Sequence, residues 1–488
     1  MHNGIDFAEI ARRAMVEHGF LPEMGEPAMG EVAALRPHPH GTQHDHDDHG
    51  VRDLRRLLWS SIDNDESRDL DQIEVCERVS PSLVKIMVGI ADVDSYVAKG
   101  SALDRRAAQN TTSVYTGVVV FPMLPAELST NLSSLNPGED RLAIVIEMLV
   151  GDDGEIGESS VYRALVHNHA KLAYDDVERW LGGFSTPQAA AGLPELAAQI
   201  RMQDEVAQQL RRLRHRHGAL ELETIEAQTI AKNGEVVGLT VTHKTRSREI
   251  IEDLMIASNG VIARFLEAHD RSSISRVVRK PKRWDRIVEL AAGFGDVLPA
   301  EPDPTALSTF LDRRHAADPL RFGDISLSVV KLLGPGEYTL QSATGPHVGH
   351  FGLAVQDYSH STAPNRRFAD LVTQRLLKST IANAKPAYDD LELDAIARHC
   401  TQKEDDARKV ERTMRKVAAA ALLASRVGET FDAVVTGVAS KGTFVRLLAP
   451  PAEGRVVRGE QGMDVGDAVR VKLVATEPAK GFIDFVRA

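Results

Sequence analysis

The sequence predicts an α+β protein, with a sheet laid down early in the chain, helices after it, and a small OB-fold β-barrel at the C-terminus. Three observations carry this expectation. Strand-like apolar runs follow one another through the first third of the chain: IEVCERV, LVKIMVGIADV, VYTGVVVF and RLAIVIEMLV. Later segments repeat apolar residues at helical spacing, above all SREIIEDLMIASNGVIARFLEAH. From Gly428 the texture changes to five short β runs separated by Gly turns, the number and length that an OB barrel uses.

Taken in order, residues 1–20 read as one amphipathic helix, with Ile5, Phe7, Ile10, Ala11 and Ala14 near helical spacing. LPEMGEPAMGEVAALRPHPHG is rich in Pro and Gly and reads as a connector. It leads into a tract holding His38, His40, His44, His46 and His49 among Asp45, Asp47 and Asp48. Such tracts can bind zinc or nickel weakly. The preferred reading is a solvated linker, because no fixed ligand geometry is visible. Helices are expected at 171–180 and 194–217, and a β-rich stretch at 220–245. Residues 300–335 read as helical with Pro breaks. Two more helices follow, over RRFADLVTQRLLKSTIAN and from Leu391 to Arg426.

Composition bounds the function. With 58 Lys and Arg against 70 Asp and Glu, the 488-residue chain carries a formal charge of −12. That argues against binding nucleic acid by bulk charge, though not against a local basic channel. Cys76 and Cys400 are too few for a disulfide framework or a Cys-based zinc site. No apolar run approaches the roughly 18–20 residues that span a bilayer, and the N-terminus lacks the layout of a signal peptide. A cytoplasmic setting without membrane contact is expected.

The most informative segment is IDNDESRDLDQ, residues 62–72, with Asp63, Asp65, Glu66, Asp69 and Asp71. Crowded carboxylates repel one another, so a cation is a natural reason for them. Hard oxygen donors suit Mg²⁺ or Mn²⁺. The competing reading is a solvated acidic loop. A second cluster, VGHFGLAVQDYSHSTAPNRRFADL, holds His347, His350, His360, Arg366 and Arg367. Paired arginines where a helix opens suit phosphate oxygens. Taken alone, they read better as a surface pair salt-bridged to Asp370.

In this order, the segments resemble the ribonuclease II / ribonuclease R family, whose catalytic unit is the RNB domain. The acidic loop looks like the family's Ile-Asp-…-Asp-x-Asp-Asp loop, IADVDSYV like its Ala-Asp-Val strand, and FPMLPAELSTNLSSLNPGEDRLA like its Pro-Met-Leu-Pro segment. IIEDLMIASN and HFGLA…YSHSTAPNRRFADL are similar to two further family stretches. The resemblance implies a curved mixed sheet flanked by helices over 51–426. It also implies an OB-fold RNA-binding barrel over 427–488, after an N-terminal helix and His-rich linker over 1–50. The implied activity is 3′→5′ hydrolysis of single-stranded RNA to nucleoside 5′-monophosphates with Mg²⁺, Mn²⁺ being an alternative.

By the same resemblance, Asp63, Asp69 and Asp71 bind the metal, with Gln72 at the fourth ligand position. Arg366 neutralises charge at the scissile phosphate. Arg367 lies near the RNA backbone, Tyr115 stacks a base, Tyr174 lies at the terminal nucleotide and Glu252 contacts its ribose. Asp71, Asp69, Arg366 and Tyr174 form the implied catalytic set. The chain departs from the pattern at several positions. Gln72 replaces an aspartate, Ala363 a serine and Asn365 an Ile or Met, and Leu222 stands near a position where a Phe is common. The fifty residues before the RNB region are too few for the family's two cold-shock domains. Candidate channel walls are the basic stretches 211–217 and 275–283, and RNA affinity is expected to fall with salt. Two other readings remain: a catalytically weakened RNA-binding protein on the same fold, and a metal-handling protein based on the His tract.

Overall fold

The computed structural model describes residues 5–36, 50–223, 227–232, 235–241, 244–439 and 442–488. The His-rich tract lies outside the described residues.

The central sheet has six strands. In spatial order they are Arg52–Asp53, Ile156–Ala173, Trp59–Asp63, Gln72–Ser80, Leu83–Ala91 and Asp140–Gly151. The Ile156–Ala173 strand also pairs with Asp140–Gly151, which rolls the sheet into a strong curve. Its first half runs antiparallel to Asp140–Gly151, and its second half runs parallel to Trp59–Asp63. The alternating apolar residues read from the sequence fill the interior: Trp59, Ile62, Ile73, Ile86 and Ile90 are all buried. Each such side chain contributes roughly 1.5–3 kcal/mol of burial. Gly89 belongs to this packing, because a Cβ there would stand 3.2 Å from Cγ1 of Ile73.

Helices Tyr174–Leu181, Pro194–Arg216, Arg246–Ala268 and Phe368–Ile381 surround the sheet. The last is pinned by Arg375, whose guanidinium bonds Asp94 (2.8 Å), Asp104 (2.7 Å) and the carbonyl of Val97 (2.6 Å). A 34-residue helix, Asp390–Leu423, opens with a capping box between Asp389 and Glu392. Its far end gives Ala419, Ala420 and Leu423 to the core of the C-terminal barrel. That barrel is closed and five-stranded, in the order Thr430–Ala439, Gly442–Leu447, Glu453–Arg458, Phe482–Arg487, Ala468–Glu477. One pair, Glu453–Arg458 with Phe482–Arg487, is parallel. The predicted α+β class, curved sheet and OB barrel are all present.

Three local expectations need correction. The N-terminal helix covers only Phe7–Glu17, and the supposed connector contains a second helix, Glu26–Ala34. Pro27 sits in its first turn, where a missing N–H costs nothing. VYTGVVVF is not one strand. It folds back at Gly117 (φ 80°) into the two-residue pair Val114–Tyr115 and Val120–Phe121. The helix expected at 171–180 begins only at Tyr174, because the preceding strand runs through Ala173.

Candidate active site

The acidic loop joins two neighbouring strands of the central sheet. Asp63 ends the first, and Gln72 begins the second. The loop is held by its own backbone. Leu70 is buried, its N–H donates to Ser134 Oγ (3.0 Å), and its carbonyl accepts from Leu135 (3.0 Å). Lys171 Nζ donates to the carbonyls of Asp65 (2.6 Å) and Ser67 (2.5 Å). Asp63 Oδ1 accepts from the N–H of Asn64 (2.6 Å) and the hydroxyl of Ser67 (3.0 Å). The loop is therefore a built cradle rather than a solvated run of acids.

The Ser361–Arg367 turn reaches this cradle from the other end of the catalytic unit. Asp71 Oδ1 accepts from the backbone N–H of Asn365 (3.0 Å), and Oδ2 accepts from Nε of Arg366 (3.2 Å). The turn is fixed by Asp370 in the following helix, which accepts from the N–H of Ala363 (2.8 Å) and from Arg367 (2.7 Å). Ser133 Oγ donates to Oδ1 of Asn365 (2.6 Å), while Nδ2 of this unusual amide is buried without an acceptor among the described residues. A third segment closes the arrangement. Ser113 donates its N–H to the carbonyl of Arg366 (3.0 Å), and Phe368 donates to that of Thr111 (2.8 Å). This brings Tyr115 in, with its hydroxyl 3.4 Å from Oδ2 of Asp69.

Tyr174 opens its helix beside Asp63, and the guanidinium of Arg248 lies 4.5 Å over its ring. Arg248 also donates to Oδ1 of Asn64 (3.0 Å), tying the Arg246–Ala268 helix to the acidic loop. Glu252 stands one turn further along that helix. Its partners are Lys244 (3.3 Å) and Arg211 (3.9 Å), not the loop. The structure thus brings together Asp63, Asp69, Asp71, Gln72, Arg366, Tyr115 and Tyr174. Arg367 sits one residue away, turned to Asp370, and Glu252 borders the group through Arg248.

The electrostatics are unusual. Burial pushes the Asp71 carboxyl up to about 7, against the pull of Arg366 and the Asn365 N–H. Burial also raises Glu74 well above the carboxylate range, and the nearby charge of Asp63 adds to it. Burial raises the Tyr115 hydroxyl to about 12, with Arg366 opposing. Buried Asp71 beside the partly exposed Asp63 and Asp69 makes an oxygen-rich donor set of the kind that suits a hard divalent cation.

Sequence reasoning missed Glu74, Arg248 and Lys171. Glu74 had a signal: a carboxylate at the second pleat of the otherwise apolar run IEV. Part of the proposed basic channel walls is paired to acids. Arg211 pairs with Glu249 and with Asp253 (3.3 Å), Arg214 pairs with Asp253, and His215 lies 3.1 Å from Asp312. Arg276 is buried against Glu404 (2.5 Å), and Arg279 pairs with Glu337. Leu222 packs against the satellite core around Trp284 and Ile287. Of the three histidines noted, His350 and His360 flank the Tyr358 ring, and burial holds both below their usual range. His347 lies between Glu267 (3.0 Å) and Asp357 (2.5 Å), about five helical turns along from Arg248. Both its ring nitrogens are engaged. Among the described residues, no helix is long and apolar enough to cross a membrane.

Comparison with known proteins agrees with this geometry. Residues 51–383 match the RNB domain, and residues 429–488 match the RNase II-type exonuclease C-terminal S1 domain. Ribonuclease R of Thermotoga maritima is 29% identical over 473 residues, covering 90% of this chain and 65% of that protein. Ribonuclease R of Escherichia coli is 30% identical over 415 residues, covering 82% of this chain and 50% of that protein. The chain thus spans about half to two-thirds of the length of these relatives. Among solved structures, Mycoplasma genitalium RNase R in complex with ribose-methylated single-stranded RNA superposes with a TM-score of 0.88 at 21% identity, covering 100% of this chain and 79% of that one. Yeast Ssd1, a pseudonuclease, superposes with a TM-score of 0.71 at 16% identity, covering 95% of this chain and 57% of that one. With the RNB match running through both halves of the site, the chain belongs to the RNB-domain ribonuclease family and carries that family's RNase II-type S1 domain at its C-terminus.

Proposed function

We propose that the protein is a cytoplasmic 3′→5′ hydrolytic exoribonuclease. It acts on single-stranded RNA with Mg²⁺ or Mn²⁺ and releases nucleoside 5′-monophosphates. Its catalytic unit is 51–426, and 427–488 is an RNA-binding barrel. The observation that carries the reading is the meeting of Asp71 and Arg366, which are 295 residues apart in sequence and 3.2 Å apart in space. Phosphodiester hydrolysis needs an acidic centre and a cationic one at a single phosphate, and this contact supplies both.

Asp63, Asp69 and Asp71 would hold the cation, with the Gln72 amide beside them. When bound, that cation supplies Lewis-acid activation of the attacking water and screening of the phosphate charge. Arg366 gives Nε to Asp71, also meets the Tyr115 side chain and is half exposed, so its guanidinium can still turn donors to phosphate oxygens. Tyr115, with its hydroxyl directed to Asp69, is partly exposed and presents its ring for stacking against a base. The Tyr174 ring offers the terminal base a stacking face on the side away from Arg248. Arg367, fixed by Asp370, holds the backbone behind the reacting phosphate, and Glu252 contacts the terminal ribose.

The test is release of label from 3′-labelled single-stranded RNA with Mg²⁺, comparing wild type with Asp71→Asn. Wild type should free labelled mononucleotide first, and D71N should not. Intact RNA with both proteins, across metals and pH, would refute the reading. The uncharged Gln72 favours one alternative, an RNA-binding protein that holds RNA without cleaving it. Tight RNA binding with no nucleotide release would select that alternative.

A further inference from the structure

Three elements meet at Arg248. It lies in the first turn of the Arg246–Ala268 helix, and its guanidinium stands 4.5 Å over the ring of Tyr174, which opens the Tyr174–Leu181 helix. One of its terminal nitrogens donates to Oδ1 of Asn64 (3.0 Å), the neighbour of Asp63 in the acidic loop. The two helices are locked together beside this contact. Buried Ser247 donates its N–H to Glu178 (2.8 Å), which lies one turn after Tyr174 on the same helix. Arg246 is held in turn by Asp204 through Nε (2.8 Å). Glu252 follows Arg248 by four residues, so the two share one face of their helix.

A tie between helix and loop does not by itself call for an arginine lying over an aromatic ring, since any donor of suitable reach could bond Asn64. What the guanidinium adds is a flat cation that covers one face of the ring. A tyrosine ring free to turn at a helix start would have to be ordered by the base that stacks on it, and that ordering weakens binding. With one face covered by Arg248, the ring is ordered on folding and a single face is left open.

We propose that Arg248 is a positioning residue for the 3′-terminal nucleotide, acting through Tyr174. Base, tyrosine ring and guanidinium form a stack of three layers, and the bond to Asn64 ties that stack to the acidic loop. The terminal base is held by its face rather than its edges, which suits an RNA end of any sequence. The inference rests on the reading above that Tyr174 stacks the terminal base.

The experiment is equilibrium binding of two short 5′-fluorescein RNAs to the full-length protein in EDTA, read by anisotropy. The RNAs share one sequence, but one ends in adenosine and the other in an abasic ribose. Wild type is compared with Arg248→Ala, Arg248→Lys, Tyr174→Ala and the double variant. Wild type should prefer the adenosine end by about tenfold. R248A should lose about three- to fivefold of that preference while binding the abasic RNA as wild type does. R248K keeps the charge but not the flat fork, and should lose most of the same preference. The double variant should bind no more weakly than Y174A, because without the ring Arg248 has nothing to position. Equal weakening of both RNAs in R248A would overturn the proposal, since the arginine would then be holding the fold or a backbone phosphate. An unchanged preference in R248A with a lost one in Y174A would overturn it too, and leave the stacking by Tyr174 standing. No preference in wild type would sink the stacking reading and this inference together, while label release from 3′-labelled RNA still decides the nuclease reading by itself.

Discussion

Replacing Asp71 with Asn should remove activity and at the same time stabilise the metal-free protein, by an amount that depends on pH. Burial raises the Asp71 carboxyl to about 7 in the folded chain, against a value near 4 when unfolded. A group raised in this way favours folding while it is protonated. That contribution is complete below about pH 4 and is lost as pH climbs through about 7. Three units at about 1.4 kcal/mol each put the loss on the order of 4 kcal/mol. Asn does not ionise and can keep the bond from the Asn365 N–H. It gives up the pair with Arg366, which is half exposed and contributes about 0–1 kcal/mol. In EDTA the two proteins should therefore melt together near pH 4.5. By pH 8 D71N should melt higher, by roughly 3 °C for a net gain on the order of 3 kcal/mol. Scanning calorimetry of both proteins across that range is the assay. Glu74 and Asp253 are also raised by burial, but they titrate in both proteins and cancel in the difference. A gap that stays constant from pH 4.5 to 8 would show that Asp71 does not carry this penalty.

Arg366→Ala should lower kcat by about 10²–10³, the usual loss for one donor to a developing charge, with RNA affinity changed only a few-fold. Equal losses in single-turnover rate and in binding would contradict its role. Tyr174→Ala should weaken binding of a short single-stranded RNA by about 1–3 kcal/mol in fluorescence anisotropy, and an unchanged Kd would remove the ring from the binding path. Deleting residues 36–50 should leave RNA decay unchanged. A loss of activity there would give the His tract a role beyond that of a linker.

The acidic loop and the APNRR turn were legible because each is a contiguous run whose residue types state its chemistry. The OB barrel was legible for a similar reason, since strand length and Gly spacing are local properties. The residues by themselves did not link the two motifs, and only the family resemblance put Asp71 and Arg366 in one set, because the link depends on the Thr111–Phe121 segment, where Ser113 and Thr111 stitch the turn in place. The ion pairs within the proposed basic walls were not legible for a related reason. A sequence shows Arg211 and Arg214 but not that Asp253, on another helix, lies against both. Glu74 was hidden because an alternating strand such as IEVCERV ordinarily turns its polar positions to solvent. Here the strand lies between two others, and Gln72 through Cys76 are all buried. The second N-terminal helix was masked by Gly25 and Pro27, turn residues that a short helix tolerates at its start, and by Gly30 in its middle.

The distance along the chain between Asp71 and Arg366 also sets a clock. At roughly 5–20 residues per second, the ribosome needs about 15–60 s to make the 295 residues that separate them. Throughout that interval the acidic loop exists without its arginine, and the turn that presents Arg366 cannot close until the helix beginning at Phe368 has emerged to supply Asp370. An exoribonuclease of the kind proposed, assembled in this order, would stay inert for most of its own translation, while the message encoding it is the nearest RNA.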